Sequence, residues 1–108
     1  MNDNAKYRNR NYVDPEQRRG YILEAAIELA RQDGYLNIRK EGIAARCGIG
    51  AGTVHSAYGS MADIRNDVVR VAIERGIISI LADALAQKHP LARNAPDHLK
   101  AQAVASLV

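Results

Sequence analysis

An all-α fold is what this sequence predicts, on three observations. Apolar residues recur at three- and four-residue spacing between recognisable helix caps. No stretch alternates apolar and polar residues over a useful strand length. Apolar residues make up 47% of the chain, yet Phe and Trp are absent and the five aromatics are all Tyr. The core must therefore come from Ala, Ile, Leu and Val, small side chains that suit closely packed helices.

The first helix is predicted over residues 15–33. Asp14 is a good N-cap, Pro15 fits the first helical position, and Gln17 completes a capping-box pattern. Ile22, Leu23, Ala26, Leu29 and Ala30 share its apolar face, and Gly34 stops it. A second, short helix opens at Asn37 or Ile38, turns Ile43, Ala44 and Cys47 inward, and ends at Gly48. The third runs from about Gly50 to Ala57, with Val54 inward and Thr53, His55 and Ser56 outward. Ser60 and Asp63 then form a capping box for a long fourth helix that Pro90 stops. It carries two apolar stripes: Ile64, Val68, Val71, Ile78, Ala82 and Leu85 on one side, and Val69, Ile73, Ile77, Ile80 and Ala84 on the other. Gly76 is a place for a kink or a close crossing. His89 to Ala95 reads as a linker, and Pro96 and Asp97 start a last short helix with Leu99, Ala103 and Leu107 on one side.

Composition excludes several classes of function. No run approaches the ~18–20 apolar residues of a membrane span, and residues 1–14 have no apolar core of the secretory kind. A single cysteine, Cys47, forms neither an intrachain disulfide nor a metal cluster by itself, which points to a reducing cytoplasm and to a small core residue. His55, His89 and His98 lie apart, and no H-x-x-x-H or C-x-x-C spacing occurs. The glycines of G-I-G-A-G, residues 48–52, follow a helix rather than a strand and fail the context test for a nucleotide loop. No cofactor, metal or enzymatic activity is expected. The net charge is +3, which permits an anionic partner without demanding one. Up to Arg46 there are nine basic and seven acidic residues, against six and five after it, so an anion-binding face belongs mainly to the first half. Residues 1–13 are polar, with Lys6, Arg8 and Arg10 against Asp3. They read either as a solvated terminus or as a basic arm that orders on nucleic acid.

A short helix, a tight glycine turn and a second short helix make a helix-turn-helix candidate. The two helices must cross steeply for the second to stand proud and enter a major groove. In Ile43 to His55, Ala44 is small enough for a close crossing, Gly48 supplies the turn, Ile49 plugs the angle and Val54 anchors the second helix. Residues 20–64 resemble the N-terminal DNA-binding domain of the TetR family of transcriptional regulators. The matching stretches are Ile22-Leu23-Glu24-Ala25-Ala26, Gly34-Tyr35, Ile43 through Ile49, Gly52-Thr53-Val54 and Tyr58-Gly59-Ser60. The resemblance implies a three-helix reader, a fourth helix leading to a dimerising body, and a palindromic operator.

The departures from the family pattern are informative. His55 stands where the family usually has Tyr, and Met61 where it has Lys. Gly50 and Ala51 replace Ser and a basic or polar residue, so the recognition helix contains neither Lys nor Arg. Candidate DNA contacts are Gly50, Ala51, Gly52, Thr53, His55, Ser56 and Tyr58, with Arg39 and Lys40 at the start of the second helix and Arg8 and Arg10 in the arm. Residues 61–108 are too few to enclose a drug-sized pocket of ~300 Å³ beside their own core, so no small-molecule effector is expected. The surplus stripe of Val69, Ile73, Ile77, Ile80 and Ala84 needs a cover, and a second copy of the chain is expected to supply it, in a symmetric dimer built from the second half of the fourth helix and the last helix. The expected organisation is an arm (1–13), a helix-turn-helix domain (14–60) and a helical dimerisation segment (61–108). The expected function is a cytoplasmic dimeric repressor on double-stranded DNA. The alternative is a protein-interaction module on a helix-turn-helix scaffold.

Overall fold

A computed structural model describes residues 14–107. They form seven α-helices: α1 (Pro15–Asp33), α2 (Lys40–Cys47), α3 (Ala51–Tyr58), α4 (Met61–Arg75), α5 (Ile78–Ala86), α6 (Pro90–Arg93) and α7 (Asp97–Ser106). One 3-10 turn, Tyr35–Asn37, joins α1 to α2. There is no strand among the described residues.

The caps act where the sequence places them. Asp14 accepts a hydrogen bond from the Gln17 backbone N–H at 2.8 Å. At the head of α4 both halves of the capping box are made, Asp63 N–H to Ser60 Oγ at 3.1 Å and Ser60 N–H to the Asp63 carboxylate at 3.0 Å. Those two N–H groups would otherwise lack partners. The Ser60 N–H, and the Ser60 hydroxyl that also donates to the Asp63 carboxylate at 3.0 Å, hold the Asp63 carboxyl below its ordinary pKa.

Two helices end on the same device. Gly48 (φ 70°) and Gly76 (φ 67°) both sit in the left-handed region, which an L side chain enters only at a cost. After Gly48, Ile49 N–H reaches back to the Ala44 carbonyl at 3.0 Å; after Gly76, Ile77 N–H reaches the Ala72 carbonyl at 2.8 Å. In both, the isoleucine past the glycine tucks against the core. The first of these turns makes the angle between α2 and α3. The second cuts the expected long fourth helix into α4 and α5.

That break corrects the expected dimer stripe. Val69, Ile80 and Ala84 are completely buried inside the protomer, and Ile73 and Ile77 are half-buried against the same core. The cover comes from the chain itself. With α5 redirected at Gly76, α6 and α7 close over it, and α7 packs on α5 more extensively than any other pair of helices. Buried Ala103 lets α7 come close, and a Cβ at Gly76 would stand 4.0 Å from Leu99 Cδ2. The expected linker from His89 to Ala95 contains α6, capped by His89, whose Nδ1 accepts from Leu91 N–H at 3.1 Å.

One core runs through both halves. It extends from Ile22, Ala26 and Ile43 through Val54, Ile64 and Val68 to Ile80 and Leu81. Polar ties join the halves at the surface. Arg75 holds Glu24 through two bonds, at 2.9 and 2.6 Å. The Asp83 carboxylate accepts the Tyr35 backbone N–H at 3.2 Å.

Candidate nucleic-acid interface

The exposed face of α3 follows from its inner one. Val54 is fully buried and Tyr58 is 7% exposed, one turn apart, so His55 and Ser56 between them face outward while Ala57 packs half-buried against the core. Gly52, His55 and Ser56 are exposed and Thr53 is half-buried. At the start of the helix Gly50 is exposed, while Ala51 is half-buried against the core. This face is small and carries no full charge, as the sequence implies.

His55 has a neighbour from α2. Lys40 Nζ lies 3.4 Å from His55 Nδ1. The α3 surface offers an imidazole, a threonine hydroxyl with its methyl, and a serine hydroxyl. The Ser56 hydroxyl donates back to the Thr53 carbonyl at 3.2 Å and keeps its lone pairs for another donor.

Basic residues flank this face. Arg39 is the exposed N-cap of α2, and Lys40 follows it. Neither forms an ion pair with a described residue. Arg46, by contrast, is held within the fold, by Glu28 at 2.8 Å and Gln32 at 2.9 Å, and locks the end of α2 onto α1. On the opposite side, Pro15 and Arg18 of α1 and Ser56 and Ala57 of α3 line an open cavity of about 260 Å³. Arg8 and Arg10 themselves lie outside the described residues.

Tyr58 is corrected. Its ring is buried, and its hydroxyl is committed to the Asp67 carboxylate on α4 rather than standing on the exposed face. Burial and that bond push its pKa well above the ordinary tyrosine value. Arg19 of α1 closes the arrangement. Its guanidinium lies 4.0 Å over the Tyr58 ring and donates to the Tyr58 carbonyl at 2.9 Å. Asp67 is also 4.0 Å from Arg19 and 3.5 Å from Arg70. The sequence reading missed this cluster. One signal for it was available: Asp67 lies three residues after Ile64 and four before Val71, on the packed side of α4, where a carboxylate needs a partner.

Cys47 is a core residue, 2% exposed, with its thiol 3.8 Å from the Tyr21 carbonyl. Burial, and then the Glu28 charge, push the thiol pKa up to about 11. No helix is long and apolar enough to cross a membrane among the described residues.

Residues 22–68 match the family described as bacterial regulatory proteins, tetR family. The match begins in α1, spans the helix-turn-helix and ends within α4. No curated protein and no solved structure matches the chain.

Proposed function

We propose that the chain, whose residues 22–68 match the tetR family of bacterial regulatory proteins, is a dimeric repressor that reads a palindromic operator through α3. It acts on double-stranded DNA in the cytoplasm and needs no small-molecule effector. The observation that carries this reading is the layout of the face. A neutral helix with donors and acceptors at Thr53, His55 and Ser56 stands between Arg39 and Lys40 on one side and the start of α1 on the other. Base edges are read by hydrogen bonds and methyl contacts, and phosphates are met by flanking cations. A recognition helix without Lys or Arg is compatible with this division, since Arg39, Lys40 and the basic arm supply the charge from outside it.

Reading a palindrome takes two copies. The stripe of Val69, Ile80 and Ala84 is consumed within the protomer, so the seam is assigned to the outer face of α7. There Val104 is 53% and Leu107 51% exposed, and residues 101–107 carry no charge.

Selection of bound sites from random duplexes tests the proposal. A single enriched palindrome is expected, with affinity falling linearly in log salt by about 0.9 per phosphate neutralised. No enrichment, with binding insensitive to salt, would leave the scaffold as a protein-interaction module.

A further inference from the structure

We propose that Asp67 is a positioning residue for DNA reading: acting through Tyr58, and together with Arg19, it fixes the angle at which α3 meets the duplex. The inference rests on the assignment of α3 as the reading helix. It adds a residue on α4 that touches neither α3's exposed face nor the DNA.

The mechanical problem is set by length. α3 has eight residues, about 12 Å at the usual rise. Val54 anchors its middle, and the other inward side chains ahead of Tyr58, Ala51 and Ala57, are small and only half-buried, so they resist rocking weakly. A rotation of about 10° at one end moves the other by about 2 Å, which is beyond the ~0.5 Å tolerance of a hydrogen-bonded site. The end nearest the Gly48 turn is held by that turn. The far end is held at Tyr58, where α1, α3 and α4 meet on one ring.

Each contact there has a directional role that packing alone does not require. Arg19 NH1 donates to the Tyr58 carbonyl, one of the carbonyls that a helix end leaves unpaired. Its plane lies over the ring and limits the ring's tilt. The hydroxyl at the other edge of the ring donates to Asp67. Asp67 is itself set by Arg70 at 3.5 Å, and Arg70 by Glu74 at 2.9 Å. A phenylalanine would fill the same volume. The hydroxyl and its carboxylate add an orientation.

Three full-chain variants test this: Tyr58→Phe, Asp67→Ala and Asp67→Asn. The last two change charge equally, but the asparagine oxygen still accepts from the Tyr58 hydroxyl. Two readouts are needed. Without DNA, hydrogen exchange at the α3 amides should quicken in Tyr58→Phe and Asp67→Ala, while α1 amides keep their protection and Asp67→Asn stays close to wild type. With DNA at fixed salt, Tyr58→Phe should lose roughly tenfold in affinity for the selected duplex, the scale of one charge-assisted hydrogen bond. Its affinity for a scrambled duplex and its salt slope should not change. Asp67→Asn should recover most of the preference that Asp67→Ala loses. Unchanged α3 protection, or a loss on both duplexes that only follows a lower melting temperature, overturns the proposal. Faster α3 exchange in a chain that prefers no duplex would mean that the cluster holds the helix but the DNA reading is wrong, and Asp67's role in recognition would fall with it.

Discussion

Thr53 and His55 carry the recognition argument at the level of single residues. Thr53 is half-buried and His55 exposed, with Lys40 Nζ 3.4 Å from its Nδ1. Replacing both with Ala removes little of the core. Far-ultraviolet circular dichroism should therefore be unchanged, while preference for the selected duplex falls by about 1–3 kcal/mol per lost base contact. An unchanged preference at matched salt would place the reading surface elsewhere. Cys47 makes a separate prediction, about pH. Its thiol pKa is raised from 9.0 to about 11 in the fold, so the unfolded chain releases that proton first. The stability due to the neutral thiol is intact below pH 9 and is lost as pH rises from 9 to 11, by an amount on the order of 2 kcal/mol. Buried Tyr58, whose pKa is also raised, adds to the alkaline loss. Urea midpoints measured from pH 7 to 10.5 should fall above pH 9, and less steeply in Cys47→Ala.

Among the elements, the capping box is the most exposed to test. Ser60→Ala leaves the Asp63 N–H without its acceptor, and caps of this kind contribute about 1 kcal/mol. For a domain of this size the melting temperature should drop by roughly 4–8 °C. Asp63→Ala in the same background should cost less than it does alone, because the two bonds form as a unit. The helices that local chemistry specifies were legible in the sequence. The first runs from Pro15 to Asp33, as Asp14, Pro15 and Gly34 predict. The helix-turn-helix follows from Gly48, Ile49 and Val54. The break at Gly76 was underread, although Gly76-Ile77 repeats the glycine-isoleucine pair of Gly48-Ile49. Apolar spacing continues through it, and periodicity does not register a change of axis. The cover provided by α7 was missed for a related reason. An Ala-rich helix shows a weak apolar face, yet Ala103 is fully buried because small side chains let helices approach closely. For the site, the outward face of α3 was legible from spacing. The Tyr58–Asp67–Arg19 cluster was not, since it joins three helices whose relative placement no local pattern encodes.

At the scale of the whole molecule, the proposed dimer requires a surface on which two copies can meet. The described residues bury their own core, so such a seam would use surface left apolar after folding. Leu36, Val104 and Leu107 are the large apolar side chains left exposed among the described residues. Leu36 stands alone on the turn after α1, whereas Val104 and Leu107 lie three residues apart on one face of the charge-free end of α7. On a two-fold axis each such residue meets its own copy or a near neighbour, so a new charge is repeated across the seam. Val104→Glu should therefore dissociate the dimer and abolish operator binding. Its effect on protomer stability should stay within about 0.5 kcal/mol, as for other exposed positions. Ile80→Asp, which places a carboxylate in a fully buried position, should instead unfold the chain, so the two substitutions separate assembly from folding. Light scattering at micromolar concentration reads the outcome. The wild type should scatter at about twice 11.8 kDa and Val104→Glu at 11.8 kDa with an unchanged helical spectrum. A wild type that scatters at 11.8 kDa while still selecting a palindrome would place dimerisation on the DNA rather than on α7.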